Sequence, residues 1–533
     1  MSTVLQGPMQ SNRNASTATD RFAAPAPQKQ ATALSAAVLV FAAIKLLVHL
    51  LTVSGYGIFR DELYYFVRSQ HVAWGYVDQP PLVPFLLWIV RHIFGDSMFA
   101  LRLAPAVAGA ALVWLTALLS REMGGGKFAQ CFAALAIVPV PVYLVMHHWI
   151  TVNAFEPLVW TGCVWFVVRA INSGNPRNWF WFGMLAGVGF EVKYSIAFFL
   201  TGLLAGVIAT QQRRFLKSRW FWLGALAAFL IFLPNFIWLV RHDFPFLELM
   251  HNLRMHSPTV IRDAPSFFAD QIVIMNPLLF PLWGGGLWWL FFGHNGKCYR
   301  ILGWAYLVIL AAFTVLHGKN YYVAPIYPML LAAGAVALEL ATQTRWKRTR
   351  IAYGVVIVIT AAIFAPVFTP LLPVQAYIRY QKWLGFEPPK TENQDSGLLP
   401  QYFADEFGWE DMVREVARVY HSLPSEEQAK TAIFANNYGE AGAIDYFGPK
   451  YGLPRAVSGH LNYWYWGPRD YTGEIVIVLG SDGSEDPDHF QSVKVAGHTS
   501  NPFSRSDERY DIYLCRGLKR NLKEFWPLVK RWN

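Results

Sequence analysis

Charge is scarce in this chain. Asp, Glu, Lys and Arg make up 15% of its 533 residues, against 54% hydrophobic ones. That is well below the roughly 25% of a soluble globular protein. Cysteine is scarcer still, with four in all. Cys131 and Cys163 lie in apolar segments, Cys298 in a short loop, and Cys515 alone after residue 373. No Cys-x-x-Cys spacing for a metal exists, and the last part of the chain can hold no internal disulfide. Internal repeats are missing, as is a phosphate-binding glycine loop, because Gly124-Gly125-Gly126 lacks the Lys-Ser/Thr a P-loop needs. The net charge of +10 is not a nucleic-acid signature, since no basic stretch is interleaved with stacking aromatics.

What the chain has in abundance is apolar runs. Windows of about 20 apolar residues, the length that crosses hydrocarbon, recur from residue 31 to residue 372. Residues 1–30 are polar and rich in Ser, Ala and Pro, which predicts a disordered cytoplasmic tail. The run that follows is too long to be a cleaved signal. Residues 373–533 return to ordinary soluble composition and read as one extracytoplasmic α/β domain. In it, residues 403–423 have amphipathic helical spacing, 431–435, 474–479 and 511–515 read as strands, and 440–447 as a short helix. The aromatic run Tyr463-Trp464-Tyr465-Trp466 reads as packing against the membrane half rather than as a sugar platform.

Basic clusters set the topology. Arg121/Lys127, Arg169/Arg177, Arg213-Arg214/Lys217/Arg219, Lys297/Arg300 and Lys347-Arg348/Arg350 all fall on the cytoplasmic side if the N-terminus is inside. Residues 54–99, 147–152, 241–266 and 317–320 then face outward, and they hold nearly all loop carboxylates of this half. Residues 179–210 must cross twice although they are too few for two full spans, which predicts two short helices broken near Glu191-Val192-Lys193. The count is about eleven crossings. Residues 80–94 are apolar but short, and read as a helix lying along the surface.

The outer loops supply the candidate chemistry. Asp61 and Glu62 could act on an acceptor's proton or hold a divalent cation, although Asp61 also fits an N-cap. Asp78-Gln79-Pro80-Pro81 would set a polar pair at a cavity mouth or simply form a rigid turn. Glu156 precedes Pro157 and could cap a helix start, yet a carboxylate at membrane depth is costly unless used. Lys193 could meet a lipid phosphate or pair with Glu191. His251, Arg254, Lys319, Tyr321 and Tyr322 add cations and hydroxyls on the same side.

In this order the motifs resemble the lipid-linked glycosyltransferases of family 39, the dolichyl-phosphate-mannose–protein mannosyltransferase-like group with the GT-C fold, to which the lipid A aminoarabinose transferase is related. Arg60-Asp61-Glu62 resembles the family's acidic motif with its catalytic Asp, and Glu156-Pro157-Leu158 a second carboxylate position. Gly189 to Tyr194 is similar to a Gly-x-x-x-Lys motif. His251 with Arg254, and Lys319 with Tyr321-Tyr322, resemble later outer-loop motifs. Gln79 stands where relatives carry Lys, and Glu156 where they carry Asp. The resemblance implies a multi-pass enzyme of the bacterial inner membrane with a periplasmic site. Its donor would be a polyprenyl-phosphate-linked sugar, its acceptor a lipid, glycan or protein. Asp61 would be the general base, with Glu62 and Glu156 beside it, and Asp78, Gln79, Lys193, His251, Arg254, Lys319, Tyr321 and Tyr322 would bind substrate. The competing expectation is a transporter of lipid-linked sugars, for which Lys45 and His49 are the mid-span candidates.

Overall fold

The computed structural model describes residues 33–256, 260–344, 346–387, 397–484 and 486–532. The expected tail, residues 1–30, lies outside them. The chain is a polytopic helical membrane protein with a small sheet at its C-terminal end. Among the described residues six helices are long and apolar enough to cross a membrane, or up to eight if each of two bent helix pairs counts as one span.

The order of elements explains how the outer ends converge. Helix α1 (Ala37–Leu51) is followed by a loop and α2 (Arg60–Gln70), then by α3 (Leu82–Phe94) and the long α4 (Met98–Glu122). Helix α3 has 13 residues, about 20 Å, and packs on α2 and α4 with Phe85, Trp88, Ile93 and Phe94 exposed. That geometry fits a helix lying at the interface. Next come α5 (Lys127–Ile137) and α6 (Pro141–Met146), broken at Val138 to Val140, and then α7 (Val152–Ser173).

The break predicted near Lys193 is present. Helix α8 (Asn178–Val192) ends where Lys193 turns extended, and α9 (Ile196–Ala209) begins three residues on. Their 15 and 14 residues reach little more than 20 Å each. Close approach holds the short pair in place. Gly183 of α8 abuts the backbone of Gly224 in α10 (Arg219–Arg241), and Gly206 of α9 abuts Ile301 in α14 (Arg300–Val315), where a Cβ would clash. Between these lie α11 (Pro245–His256), α12 (Ala264–Ile274) and α13 (Phe280–Phe292). Asn276, at a positive φ of 72°, bends the α12–α13 connection. Helices α15 (Tyr327–Ala341), α16 (Lys347–Phe368) and the amphipathic α17 (Val374–Leu384) complete this half.

The C-terminal region has four strands in the order β1-β2-β4-β3. Strands β1 (Thr431–Ala435) and β2 (Ile475–Leu479) are parallel, while β4 (Asp511–Leu518) runs antiparallel to both β2 and β3 (Phe490–His498). Alternation divides the faces. Ile433, Ile477 and Leu479 pack on the helices Trp409–His421 and Tyr438–Phe447, while Ala432, Val476, Val478 and Cys515 meet Leu522 and Trp526. Strand β3 was not expected from the sequence, because its edge position leaves it no regular buried face. The aromatic run at 463–466 does pack, with Trp464 and Tyr465 against Trp532 and Tyr463 against Tyr64.

Candidate active site

The loop before α2 turns extended at Phe59, and Arg60 starts the helix. Glu62 reaches back and accepts the Phe59 amide at 3.0 Å. Asp61 is therefore not the N-cap but the second residue of the helix, and its carboxylate lines a cavity of about 990 Å³. Phe59, Arg60, Trp149, Asn153, Lys319, Asn320 and Tyr321 share this wall. Val142, Val145, Met146, Ile274 and Phe368 give the cavity an apolar side. Asp61 Oδ1 accepts the Tyr438 phenol at 2.7 Å.

Glu62 is in a different environment. It is fully buried, and its oxygens take Arg102 Nη2 at 2.7 Å and the Ile150 amide at 3.1 Å. The same guanidinium holds the carbonyls of Val53 at 2.9 Å and Gly57 at 2.6 Å, His148 Nε2 at 2.9 Å, and Glu406 at 3.3 Å. Glu406 in turn accepts Trp149 Nε1 at 3.2 Å. Glu62, expected beside Asp61 in the chemistry, is not among the residues that line the cavity, and its lone pairs are occupied by a buried ion pair.

Asp78 and Gln79, expected to bind substrate, are not among the residues that line this cavity. Asp78 takes Arg68 Nη1 on both oxygens at 3.1 Å. That guanidinium lies over the Tyr64 and Tyr65 rings at 3.8 and 4.2 Å. Burial raises the Asp78 carboxyl above its ordinary value despite the opposing charge of Arg68. Gln79 is buried, with its side-chain amide between the Tyr65 hydroxyl and the Arg68 guanidinium.

Glu156 and Lys193 find each other. Glu156 is buried inside α7, whose N-cap is Thr151, so it caps nothing. Lys193 donates to its Oε2 at 2.9 Å and to Asn153 Oδ1 at 2.8 Å, and Ser195 donates to Oε1. The Lys193 ammonium sits 4.7 Å from the centre of the Tyr322 ring. Glu191 is not its partner. The broken helix thus carries its cation to a carboxylate on α7, and only Asn153 of this group reaches the cavity wall.

Lys319 and Tyr321 line the cavity as expected for a binding wall, while Tyr322 stands behind them under Lys193. His251 and Arg254 are not brought there. Both are exposed on α11, which Asn252 ties to the Trp532 carbonyl at 2.7 Å and Glu248 to Lys530 at 2.8 Å. Lys45 and His49 are buried off the cavity, with Lys45 donating to the Tyr143 carbonyl at 3.0 Å.

Among the cavity residues that the sequence did not mark are Tyr438, Asp405 and Arg505. Arg505 pairs with Asp405 at 3.2 Å and with Asp507 at 2.6 Å. One signal existed for Tyr438. It lies just beyond the carboxyl end of β1, where open α/β sheets present their functional loops. Among the described residues no three His, Cys, Asp or Glu side chains are placed to hold a metal ion. Glu62, Asp78 and Glu156 each face a cation already, and the carboxylates that line the cavity are Asp61, Glu387 and Asp405.

Comparison with known proteins agrees with this architecture. Residues 78–238 match the family model described as dolichyl-phosphate-mannose-protein mannosyltransferase. An undecaprenyl phosphate-alpha-4-amino-4-deoxy-L-arabinose arabinosyl transferase of Pseudomonas fluorescens is 28% identical over 148 residues, 26% of this chain and 25% of the relative. Its counterpart in another strain is 26% identical over 166 residues, 30% of each chain. The matched stretch thus spans less than a third of these relatives. The crystal structure of ArnT from Cupriavidus metallidurans bound to undecaprenyl phosphate superposes with a TM-score of 0.56 at 15% identity, covering 90% of this chain and 97% of that one. Its apo form gives 0.55 over the same shares. The chain shares the fold of these structures, and its residues 78–238 are similar to the mannosyltransferase family model.

Proposed function

We propose that this protein is a glycosyltransferase that moves one hexosyl or pentosyl unit from a polyprenyl-phosphate donor to a hydroxyl of an extracytoplasmic acceptor, with inversion. The acceptor is a lipid, glycan or protein. The observation that carries this reading is the cavity of about 990 Å³ that Asp61 lines together with polar residues such as Lys319, Asn153 and Tyr321 and apolar ones such as Val142, Met146 and Phe368. A lipid-linked sugar needs both. The arabinosyl transferases matched above act from an undecaprenyl phosphate-linked sugar, which supports a donor of that class.

In the reaction the acceptor oxygen attacks the anomeric carbon as the bond to the phosphate oxygen breaks. Asp61 takes the acceptor's proton late in the transition state, which suits a weak base. The phosphate leaves without a paired acid, unlike the leaving group of a glycoside hydrolase. Positive charge on the cavity wall, from Lys319 and Arg60, stabilises the charge that develops on it. Lys193, once its pairing with Glu156 is considered, acts by holding α7 to the broken helix. The membrane arrangement proposed is about eleven crossings, counting short and broken helices, with residues 373–533 and the cavity on the periplasmic side of a bacterial inner membrane.

The test is transfer of label from polyprenyl-phosphate sugars in membranes carrying wild type or Asp61→Asn. Label should reach an acceptor with wild type alone. Equal transfer by both proteins would remove Asp61 from the chemistry.

A further inference from the structure

We infer that Tyr438, from the C-terminal region, is a positioning residue for Asp61, and that its helix is docked on α2 for this purpose. The inference rests on the transferase reading above. Three contacts in register carry the docking. Gly439 lies against Arg60, Gly442 against Leu63 and Tyr446 against Phe66, so helix Tyr438–Phe447 runs along α2 from its first turn. Both glycines are needed for the approach. A Cβ at Gly439 would meet Arg60 Cγ at 2.7 Å, and one at Gly442 would meet Leu63 Cβ at 2.9 Å and its backbone at 3.0 Å.

The Tyr438 ring is held on every side. It stacks on Tyr64 at 4.8 Å, lies under the Arg60 guanidinium at 5.0 Å, and meets the His460 ring at 5.0 Å. Its own amide donates to His460 Nδ1 at 3.1 Å. The turn before it is fixed as well, because Glu440 accepts the amides of Asn436 at 2.8 Å and Asn437 at 3.1 Å. A phenol so placed has little freedom, and it spends its proton on Asp61 Oδ1. With Oδ1 held, the carboxylate cannot rotate, and Oδ2 is the oxygen that meets the acceptor's hydroxyl. Proton transfer depends on such alignment more than on contact alone.

The experiment combines kinetics with infrared spectroscopy of the full-length protein. The Asp61 carboxylate stretch is isolated as the difference between wild type and Asp61→Asn. In Tyr438→Phe, which keeps the ring and its packing, the band should move and kcat should fall about ten- to a hundredfold at unchanged donor KM. Gly442→Ala, which displaces the helix without touching phenol or carboxylate, should reproduce part of both changes. An unmoved band, or a raised KM at unchanged kcat, overturns the assignment. A band that moves in Tyr438→Phe while wild type itself transfers no sugar would instead sink the transferase reading, since the band needs no turnover.

Discussion

Asp61 and Glu62 are neighbours on one helix and occupy opposite environments. Asp61 looks into an open cavity with a phenol on one oxygen. Glu62 is sealed in a buried network of Arg102, Glu406 and His148. Successive helical residues point about 100° apart, which lets this acidic pair divide between two environments. One carboxylate reads as chemistry and the other as the anchor that holds the chemistry still. The anchor also spans the molecule, because Arg102 joins α4, the loop before α2 and Glu406 of the C-terminal region.

The sharpest way to break this comparison is to neutralise each partner in turn. Asp61→Asn should lower transfer by at least about a hundredfold, the usual contribution of a general base, with little change in the unfolding temperature. If Glu62→Gln gave the same pattern, lost turnover in a protein that unfolds at the wild-type temperature, the division between the two would be wrong. Next in size is the anchor's cation. Arg102→Met leaves two carboxylates buried without a counter-charge and should cost about 3–5 kcal/mol, read as a drop in thermal stability in detergent. Adding Glu62→Gln to that variant should recover part of the loss, because the two sites share one network.

A smaller effect separates the two lysines. Lys319→Ala should raise the donor KM about tenfold while leaving stability near wild type, as expected for a lost charged contact on the cavity wall. Lys193→Met should do the reverse, since it strands Glu156 inside the bundle. A pure KM effect at Lys193 would restore it to the phosphate.

These assignments show what the sequence could and could not disclose. The broken helix was legible because thirty-odd residues between two basic clusters cannot make two full spans. The partner of Lys193 was not, because the break carries it to α7, thirty-seven positions away. Asp61 was legible from its motif. Tyr438, Asp405 and Arg505 were not, since they arrive from beyond residue 400 and only tertiary docking brings them to the cavity. His251 and Arg254 were expected beside the others from a shared loop side, but α11 leads them to the C-terminal tail. Polar residues near each other in topology are only candidates until the packing shows which of them already have partners.

The smallest expected effect is on pH, and it tests how the docked region is held. Burial pushes the Glu440 carboxyl up to about 7, and burial with the nearby charge of Glu440 pushes Glu508 up to about 8. Arg60, Arg505 and Arg531 face this pair and oppose the rise without cancelling it. Both groups start from 4.5 when exposed, so the folded protein binds protons more tightly than the unfolded chain. Their contribution to stability is then fully present below about pH 4.5 and fades as the pH passes through 7 to 8. The unfolding temperature should therefore fall by a few degrees between pH 5.5 and pH 8.5, and Glu508→Gln should flatten the slope. A temperature that rises over the same interval would mean that the arginines, and not burial, govern this cluster, and that the carboxylates are ionised where helix Tyr438–Phe447 meets α2.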